Sequence, residues 1–180
     1  MRALLLEVPE ELLAERRRSG ADRRDEVWDG VVHMVPPQST SHGFFADELC
    51  NALRPLAAAR GWRIGRELGL YGHRKNYRVP DIMLAHPDRV TERGMQGAEL
   101  VIEVLSPHDE SRDKFPFFAT VGVREVWLIE RATREVEIHQ LVEGAYHRVS
   151  GTRSPVLGVE LRVIDGPQLR ISDGDYRADV

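Results

Sequence analysis

Two acidic residues lie within strongly apolar stretches of the sequence, where carboxylates are rarely found without a partner. Asp81 lies in VPDIML (79–84), and Glu103 lies in LVIEVL (100–105). Because side chains alternate along a strand, each acid is expected to share a sheet face with the residues two positions away. If the two strands are neighbours, the carboxylates converge and repel each other unless a cation compensates them. Mg²⁺ favours such hard oxygen ligands.

A third charged residue, Lys114, follows the strand that carries Glu103. The chain has 23 arginines and two lysines, Lys75 and Lys114, so a lysine at this position is unusual. One predicted helical face, at spacing i, i+3, i+4 and i+7, consists of Lys114, Phe117, Phe118 and Val121. This face is expected to pack on the sheet, which directs the lysine toward the two acids. Its compact ammonium suits a phosphate or an attacking water.

Two structural alternatives account for the same residues without a functional site. Glu103 could form a buried ion pair with one of the many arginines. Lys114 could pair with Glu110, four residues earlier on the same helix, a contact worth about 0.3–0.5 kcal/mol at an exposed position. From residue types alone, both alternatives stay open.

Apolar spacing and turn signals predict the elements that must position these residues. We predict helices at 9–20, 41–61 and 111–122, strands within 62–86 and at 99–105 and 124–130, and hairpins around Asp29-Gly30 and Glu143-Gly144. Ser41 is the expected N-cap of the long helix, and Pro55 is expected to kink or shorten it. Strands and helices do not alternate strictly, which predicts a mixed α/β sheet in a single domain over residues 1–180.

The composition is that of an ordinary globular domain, with 42% hydrophobic residues and a formal charge of −4. This balance argues against a strongly basic coat for nucleic acid. The single cysteine, Cys50, excludes an internal disulfide and a cysteine-based zinc site. No stretch resembles a signal peptide or a membrane span, so we expect a cytoplasmic protein that does not interact with membranes.

An ordered series of motifs resembles the PD-(D/E)XK nuclease superfamily. The resemblance is closest to the Uma-two family of restriction-endonuclease-like proteins, formerly a domain of unknown function. It covers about residues 25–130, which we take as the core of the domain. The motifs are EVWDG (26–30), PPQSTSH (36–42), VPDI (79–82), VIEVLSP (101–107), ESRDK (110–114) and GVREVW (122–127). A Pro-Asp and Glu pair alone is weak evidence, but the ordered series is specific.

The resemblance implies a restriction-endonuclease-like fold, with a mixed central β-sheet flanked by helices and extra β-hairpins. It implies an endonuclease that hydrolyses phosphodiester bonds of DNA with Mg²⁺ or Mn²⁺. Asp81 and Glu103 would be catalytic metal ligands, with the Val104 carbonyl as a third ligand and Lys114 as the catalytic lysine. Supporting residues would be His42, Glu26 and Glu110. For His42, contact to a phosphate or to one acid and a purely structural hydrogen bond are both open.

The chain departs from the family pattern at several positions. Leu105 occupies the superfamily's usual lysine position, Glu110 replaces an aspartate, and Phe118 replaces a tyrosine. Pro116 could delay the start of the helix and leave Lys114 in a loop. These departures keep a second interpretation open: a catalytically silent nuclease-fold protein that binds nucleic acid or a protein partner.

The stretch 60–78 is rich in basic residues and is the predicted contact to nucleic acid, expected to be DNA. Backbone contacts of this kind give affinity rather than sequence choice. The residues selected are Arg63, Arg66, Arg74, Lys75 and Arg78. The alternative is a solvated hairpin edge. A homodimer is a further expectation, because cutting both strands requires two sites.

Overall fold

The computed structural model describes residues 9–107 and 109–180. Within these ranges, the α-helices are α1 (Glu10–Ser19), α2 (Thr40–Ala59) and α3 (Phe115–Thr120). Short 3₁₀ turns are formed by Ala21–Arg24, Pro87–Arg89 and Ser111–Lys114. The strands are β1 (Glu26–Trp28), β2 (Val31–His33), β3 (Arg63–Arg66), β4 (Leu70–His73), β5 (Asn76–Arg78), β6 (Ile82–Ala85), β7 (Val90–Thr91), β8 (Gly94–Met95), β9 (Leu100–Leu105), β10 (Glu125–Glu130), β11 (Val136–Val142), β12 (Ala145–Arg148), β13 (Glu160–Ile164), β14 (Gln168–Asp173) and β15 (Tyr176–Asp179).

The central sheet has the strand order β12-β11-β10-β9-β6-β3. Strands β9 and β10 run parallel to each other. The other neighbouring pairs of this sheet are antiparallel. A mixed sheet with helices packed against it confirms the predicted fold class.

Strand β9 explains how an acid came to lie within an apolar run. Its first five residues, 100–104, are all buried, because both faces of the sheet are covered. One face, which includes Ile102, belongs to the core cluster that contains α2. The opposite face, which includes Val101, packs with Phe118 of α3. Strand alternation therefore directs Glu103 to the α3 face, as predicted.

Helix α2 differs from the prediction at its start and in its middle. The N-cap is Ser39 rather than Ser41, and the Ser39 hydroxyl accepts a hydrogen bond from the backbone N–H of His42 at 3.3 Å. Pro55 lies inside the helix, which continues through it to Ala59. Leucines are buried on both sides of the proline, and their burial offsets its cost of about 3 kcal/mol.

The segment predicted as one helix, 111–122, is divided in two. Ser111–Lys114 forms a 3₁₀ turn, and α3 follows directly. Pro116 is the second residue of α3, where its missing N–H has no helical partner to lose. Lys114 therefore lies in an ordered turn against the sheet rather than in an extended loop.

Two smaller sheets complete the described part of the chain. One has the order β2-β1-β5-β4-β8-β7, and its β1–β2 hairpin turns at Asp29 and Gly30 with φ of 48° and 91°. These positive values fit the tight turn predicted there. The other sheet, β13-β14-β15, contributes Leu161 and Ile171 to the core around α2. The hydrophobic cluster around α2 therefore includes residues from the last third of the chain.

Candidate active site

The residues predicted to act together line one cleft of about 820 Å³. The cleft lies where β1, β6 and β9 approach the start of α2 and the turn before α3. Its lining includes every residue predicted to be catalytic, metal-binding or supporting, namely Glu26, His42, Asp81, Glu103, Val104, Glu110 and Lys114.

Asp81 and Glu103 are brought together by strand register. Strands β6 and β9 are antiparallel neighbours with Ile82 opposite Ile102, so the two acids occupy the next positions along each strand. The Asp81 Oδ2 accepts a hydrogen bond from the backbone N–H of Val104 at 2.8 Å. The N–H and C=O of one strand residue point to the same edge, so the Val104 carbonyl is also directed to the Asp81 side of β9.

His42 contacts one of the acids rather than only its own helix. Its Nε2 lies 2.9 Å from the Oδ1 of Asp81, and its side chain is buried in the first turn of α2. One oxygen of Asp81 is therefore held by His42 and the other by the N–H of Val104. Together these contacts fix the orientation of the carboxylate.

Lys114 lies between two acids. Its Nζ is 3.0 Å from the Oε1 of Glu103 and 3.0 Å from the Oε1 of Glu26. Glu26 is held in turn by hydrogen bonds from the Val79 backbone N–H at 2.8 Å and the Trp28 Nε1 at 2.7 Å. In the part of the chain that the structure describes, the cationic partner of Glu103 is thus this lysine and not an arginine.

The cluster holds three carboxylates, on Asp81, Glu103 and Glu26, against the single ammonium of Lys114. Burial raises the pKa of Glu103 to about 8, and repulsion from the other two acids adds to the rise while Lys114 opposes it. Burial lowers the pKa of Lys114, but Glu103 and Glu26 raise it further, to a value above its ordinary range. Burial thus favours the protonated form of Glu103, and the two neighbouring acids favour the charged form of Lys114.

Glu103→Gln is expected to make the metal-free protein more stable, by an amount that depends on pH. Between the ordinary glutamate pKa of about 4.3 and the raised value, the folded wild type holds a proton that the unfolded chain has released. Wild-type stability therefore falls as pH rises through this window, by at most about 1.4 kcal/mol per pH unit. The Glu103→Gln variant has no titrating group at this position, so its free energy of unfolding does not show this decrease.

The measurement is denaturant unfolding of both proteins in EDTA at several pH values from 5 to 9. The variant's advantage should widen as pH approaches about 8 and then level off. An advantage independent of pH would show that Glu103 does not titrate in this range. A variant less stable than wild type at every pH would show that the Glu103 carboxylate is a net stabilising partner of Lys114.

The chemistry of the donors fits a hard divalent cation. Within the described ranges, no three acidic, histidine or cysteine side chains are spaced to hold a metal ion. The predicted ligands are instead two carboxylates and the Val104 carbonyl, and Mg²⁺ commonly uses one or two carboxylates while keeping several waters. Mn²⁺ accepts the same oxygen donors.

The basic residues predicted to contact DNA do not lie around this cleft. Arg63 begins β3 and pairs with the far end of β6, about 13 Å along the strand from the cleft. Arg66 forms an ion pair with Asp47 on α2. Arg74 and Lys75 are exposed at the turn between β4 and β5. Contact by these four residues stays a prediction, but it would have to occur outside the cleft.

Arg78 is a structural residue, which corrects its predicted role in binding DNA. Its side chain is buried, and its guanidinium lies 4.4 Å from the ring centre of Trp28 and 4.3 Å from that of Phe117. It donates to the backbone carbonyl of Val27 at 2.8 Å. A phosphate on the surface could not reach this group without opening the core.

Two other arginines line the cleft and were not selected from the sequence. Arg24 donates to the Pro36 carbonyl at 2.9 Å, and Arg131 donates to the Ser39 hydroxyl at 2.6 Å. Both are on the lining of the cleft. Arg24 lies two residues before Glu26, the first residue of the EVWDG motif. Its proximity to that motif is the sequence signal that could have pointed to it. Arg131 follows β10 and had no such signal.

The mixed sheet, with two acids and a lysine converging beside its interior strands β6 and β9, is that of a restriction-endonuclease-like protein. A family model, Uma2, described as "Putative restriction endonuclease", matches residues 9–171. The chain belongs to this family, and the membership supports a nuclease function.

Solved structures share this fold, and one of them comes from Anabaena variabilis. It is described as a putative nuclease belonging to DUF820, and it matches with a TM-score of 0.60 at 18% identity over 74% of this chain and 83% of that one. Among curated proteins, none matches this chain. None of the helices within residues 9–107 and 109–180 has the length and apolar character needed to cross a bilayer.

Proposed function

We propose that the protein is a metal-dependent endonuclease that hydrolyses phosphodiester bonds of DNA. The observation that carries the proposal is the convergence of Asp81, Glu103 and Lys114 in one cleft. These residues come from the position just before β6, from β9 and from the turn before α3, so sequence proximity does not explain their convergence. Family membership supports the same class of reaction.

The oxygen donors of Asp81, Glu103 and Val104 are the proposed site for Mg²⁺ or Mn²⁺. When bound, the ion would supply Lewis-acid stabilisation of the charge that develops on the phosphate. His42 holds Asp81 in the orientation needed for this role through the 2.9 Å contact between them. Glu110 lines the same cleft and is proposed as a supporting residue.

Lys114 is proposed to act directly on the reacting groups. Its ammonium would orient the attacking water and stabilise the pentacovalent transition state. Glu26 keeps the ammonium close to Glu103 through the second 3.0 Å contact, so the lysine is positioned before substrate arrives. Such preorganisation is what makes electrostatic stabilisation effective.

The test is a cleavage assay on plasmid and oligonucleotide DNA with Mg²⁺, Mn²⁺ or EDTA, together with calorimetric titration of each metal. We expect metal binding and cleavage that EDTA abolishes. Metal binding without cleavage would favour a catalytically silent nuclease-fold protein that binds nucleic acid or a protein partner. The absence of both would end the nuclease proposal.

Two further features belong to the same proposal. A cytoplasmic location is supported by the single cysteine, Cys50, which is free and buried. A homodimer would allow both strands of a duplex to be cut, since each copy carries one candidate site. Sedimentation or light scattering of the purified chain tests the second point.

A further inference from the structure

The turn that carries Lys114 is attached to the central sheet at two places. At the first, Lys114 contacts Glu103 on β9 at 3.0 Å. At the second, Arg112 in the same 3₁₀ turn donates through its Nη2 to the Oε2 of Glu137 on β11 at 2.8 Å. Glu137 does not line the cleft and lies on the other side of β10 from Glu103. The turn is therefore held from inside the cleft and from outside it.

Strand register explains why two acids are available to one turn. Leu128 of β10 is opposite Glu103 of β9 and also opposite Glu137 of β11. The three side chains therefore form one row on the α3 face of the sheet, and the two acids are two strand spacings apart, which is about 10 Å. Arg112 and Lys114 together bridge this distance over Leu128, which is fully buried.

Glu137 is itself fixed by basic groups at both of its oxygens. The Nε2 of His139 lies 3.2 Å from the same Oε2 that Arg112 contacts. The Nη1 of Arg148 on β12 lies 3.9 Å from Oε1. Burial raises the pKa of Glu137, but His139, Arg112 and Arg148 lower it by more, so that it lies below its ordinary value. Glu137 is therefore an anion at neutral pH and a stable anchor for Arg112.

The residue after Lys114 is held by the same hairpin. The Phe115 ring lies 5.0 Å from the ring of His139 on β11 and 5.0 Å from that of Tyr146 on β12. The β11–β12 hairpin thus contacts the chain on both sides of Lys114, whereas the acids of the cleft contact its ammonium. Contacts to the neighbouring residues fix the backbone from which the lysine side chain extends.

This support becomes important when a divalent ion is bound. In the metal-free protein, Glu103 attracts the ammonium of Lys114. The ammonium would instead be repelled by a divalent ion held at Asp81 and Glu103, and a short 3₁₀ turn is by itself a weak support. Contacts behind the turn would keep the ammonium at the reacting groups. A misplacement of about 1 Å can cost about 10²-fold in rate.

We propose that Glu137 is a positioning residue, which acts through Arg112 to keep Lys114 at the site. The proposal rests on the nuclease function above and adds the β11–β12 hairpin to the machinery of that site. Glu137 itself lies outside the cleft, so its loss should slow the chemical step and leave the binding of metal and DNA unchanged.

The first test measures the turn directly in the metal-free protein. Glu137→Gln keeps the size of the side chain and removes the charge that Arg112 contacts. The probes are two amides of the turn, those of Asp113 and Phe115, which donate to the carbonyls of Glu110 and Arg112. We expect their hydrogen exchange, followed by NMR in EDTA, to be at least about threefold faster than in the wild type.

Asp179→Asn is the matched control for Glu137→Gln. The Asp179 side chain is 29% exposed and pairs with Arg170 at 2.7 Å, and the Glu137 side chain is 28% exposed. Asp179 lies on β15, away from the cleft, so its replacement should leave exchange in the turn unchanged. Equal exchange in the two variants would overturn the inference, whether or not the protein cleaves DNA.

The second test is steady-state cleavage with Mg²⁺, together with calorimetric titration of the metal. Glu137→Gln and Arg112→Gln are each expected to lower kcat by about tenfold, while the KM for DNA and the affinity for Mg²⁺ stay within about twofold. Arg112→Lys retains a cation opposite Glu137 and should regain most of the rate. A structural defect would weaken metal binding together with the rate, and the lysine variant would not separate from the glutamine variant.

The outcomes separate this inference from the nuclease proposal. Faster exchange with a lower kcat and unchanged metal affinity supports both. Cleavage by Glu137→Gln at the wild-type rate leaves the nuclease proposal intact and overturns the positioning role. The absence of cleavage by the wild type overturns the nuclease proposal, and the exchange rates then still decide whether Glu137 holds the turn.

Discussion

Asp81→Asn is expected to lower the rate of DNA cleavage by about 10³-fold, since a bound divalent ion supplies several kcal/mol of transition-state stabilisation. Asparagine has nearly the same shape, and its amide oxygen can still accept the hydrogen bond that Asp81 takes from Val104. The fold should therefore survive while the negative charge is lost. Metal affinity should fall by at least about 100-fold. Calorimetric titration and single-turnover cleavage measure the two effects.

Asp47→Asn is the matched control for this change. Asp47 is also an aspartate that contacts a basic residue, but it pairs with Arg66 on the surface of α2 and does not line the cleft. Its replacement should leave metal binding and cleavage unchanged. If the Asp81→Asn variant cleaves DNA at the wild-type rate, Asp81 is not a catalytic residue.

Lys114→Met is expected to lower the free energy of unfolding by about 3–5 kcal/mol at pH 8 and to abolish cleavage. The substitution removes the ammonium that lies 3.0 Å from both Glu103 and Glu26. Breaking a buried pair by removing one partner leaves uncompensated charge in the interior, which is costly. The loss should grow as pH rises above about 8, because the wild type holds an ionised Glu103 beside the ammonium there, whereas without Lys114 burial and the other acids keep Glu103 protonated.

The chain offers a direct control, because it contains one other lysine. Lys75→Met changes an exposed residue and should alter stability by less than about 0.5 kcal/mol. The double variant Lys114→Met with Glu103→Gln should regain part of the lost stability, since it removes one of the stranded carboxylates. If Lys114→Met is as stable as Lys75→Met at pH 8, the lysine does not compensate the acids.

The local parts of the site could be predicted from the sequence because they depend on local geometry. Strand alternation placed Glu103 on the α3 face of the sheet, and the inward direction predicted for Lys114 holds although Lys114 lies in the 3₁₀ turn before α3 rather than on a helical face. These relations hold over a few residues, and apolar burial enforces them. The mixed sheet also followed from the order of strand and helix signals. The extent of the single domain, 1–180, stays a prediction.

Errors arose where packing outweighed local preference. Pro55 should have interrupted α2, but buried leucines on both sides hold the helix together. Arg78 looked like a solvated charge in a basic stretch, yet it is enclosed between Trp28 and Phe117. Its neighbours come from β1 and α3, so nothing in its own segment revealed its burial.

By itself, the sequence determined which residues could perform the chemistry and on which face of its element each would lie. Only the tertiary structure decided that Lys114 contacts Glu26 as well as Glu103, and that His42 holds Asp81 from 39 residues away. It also decided that the β1–β2 hairpin, and not the basic residues of 60–78, lines the cleft with the acids. The reason is physical: periodicity fixes the direction of a side chain within its element, whereas its partners depend on which distant elements pack together to bury the core.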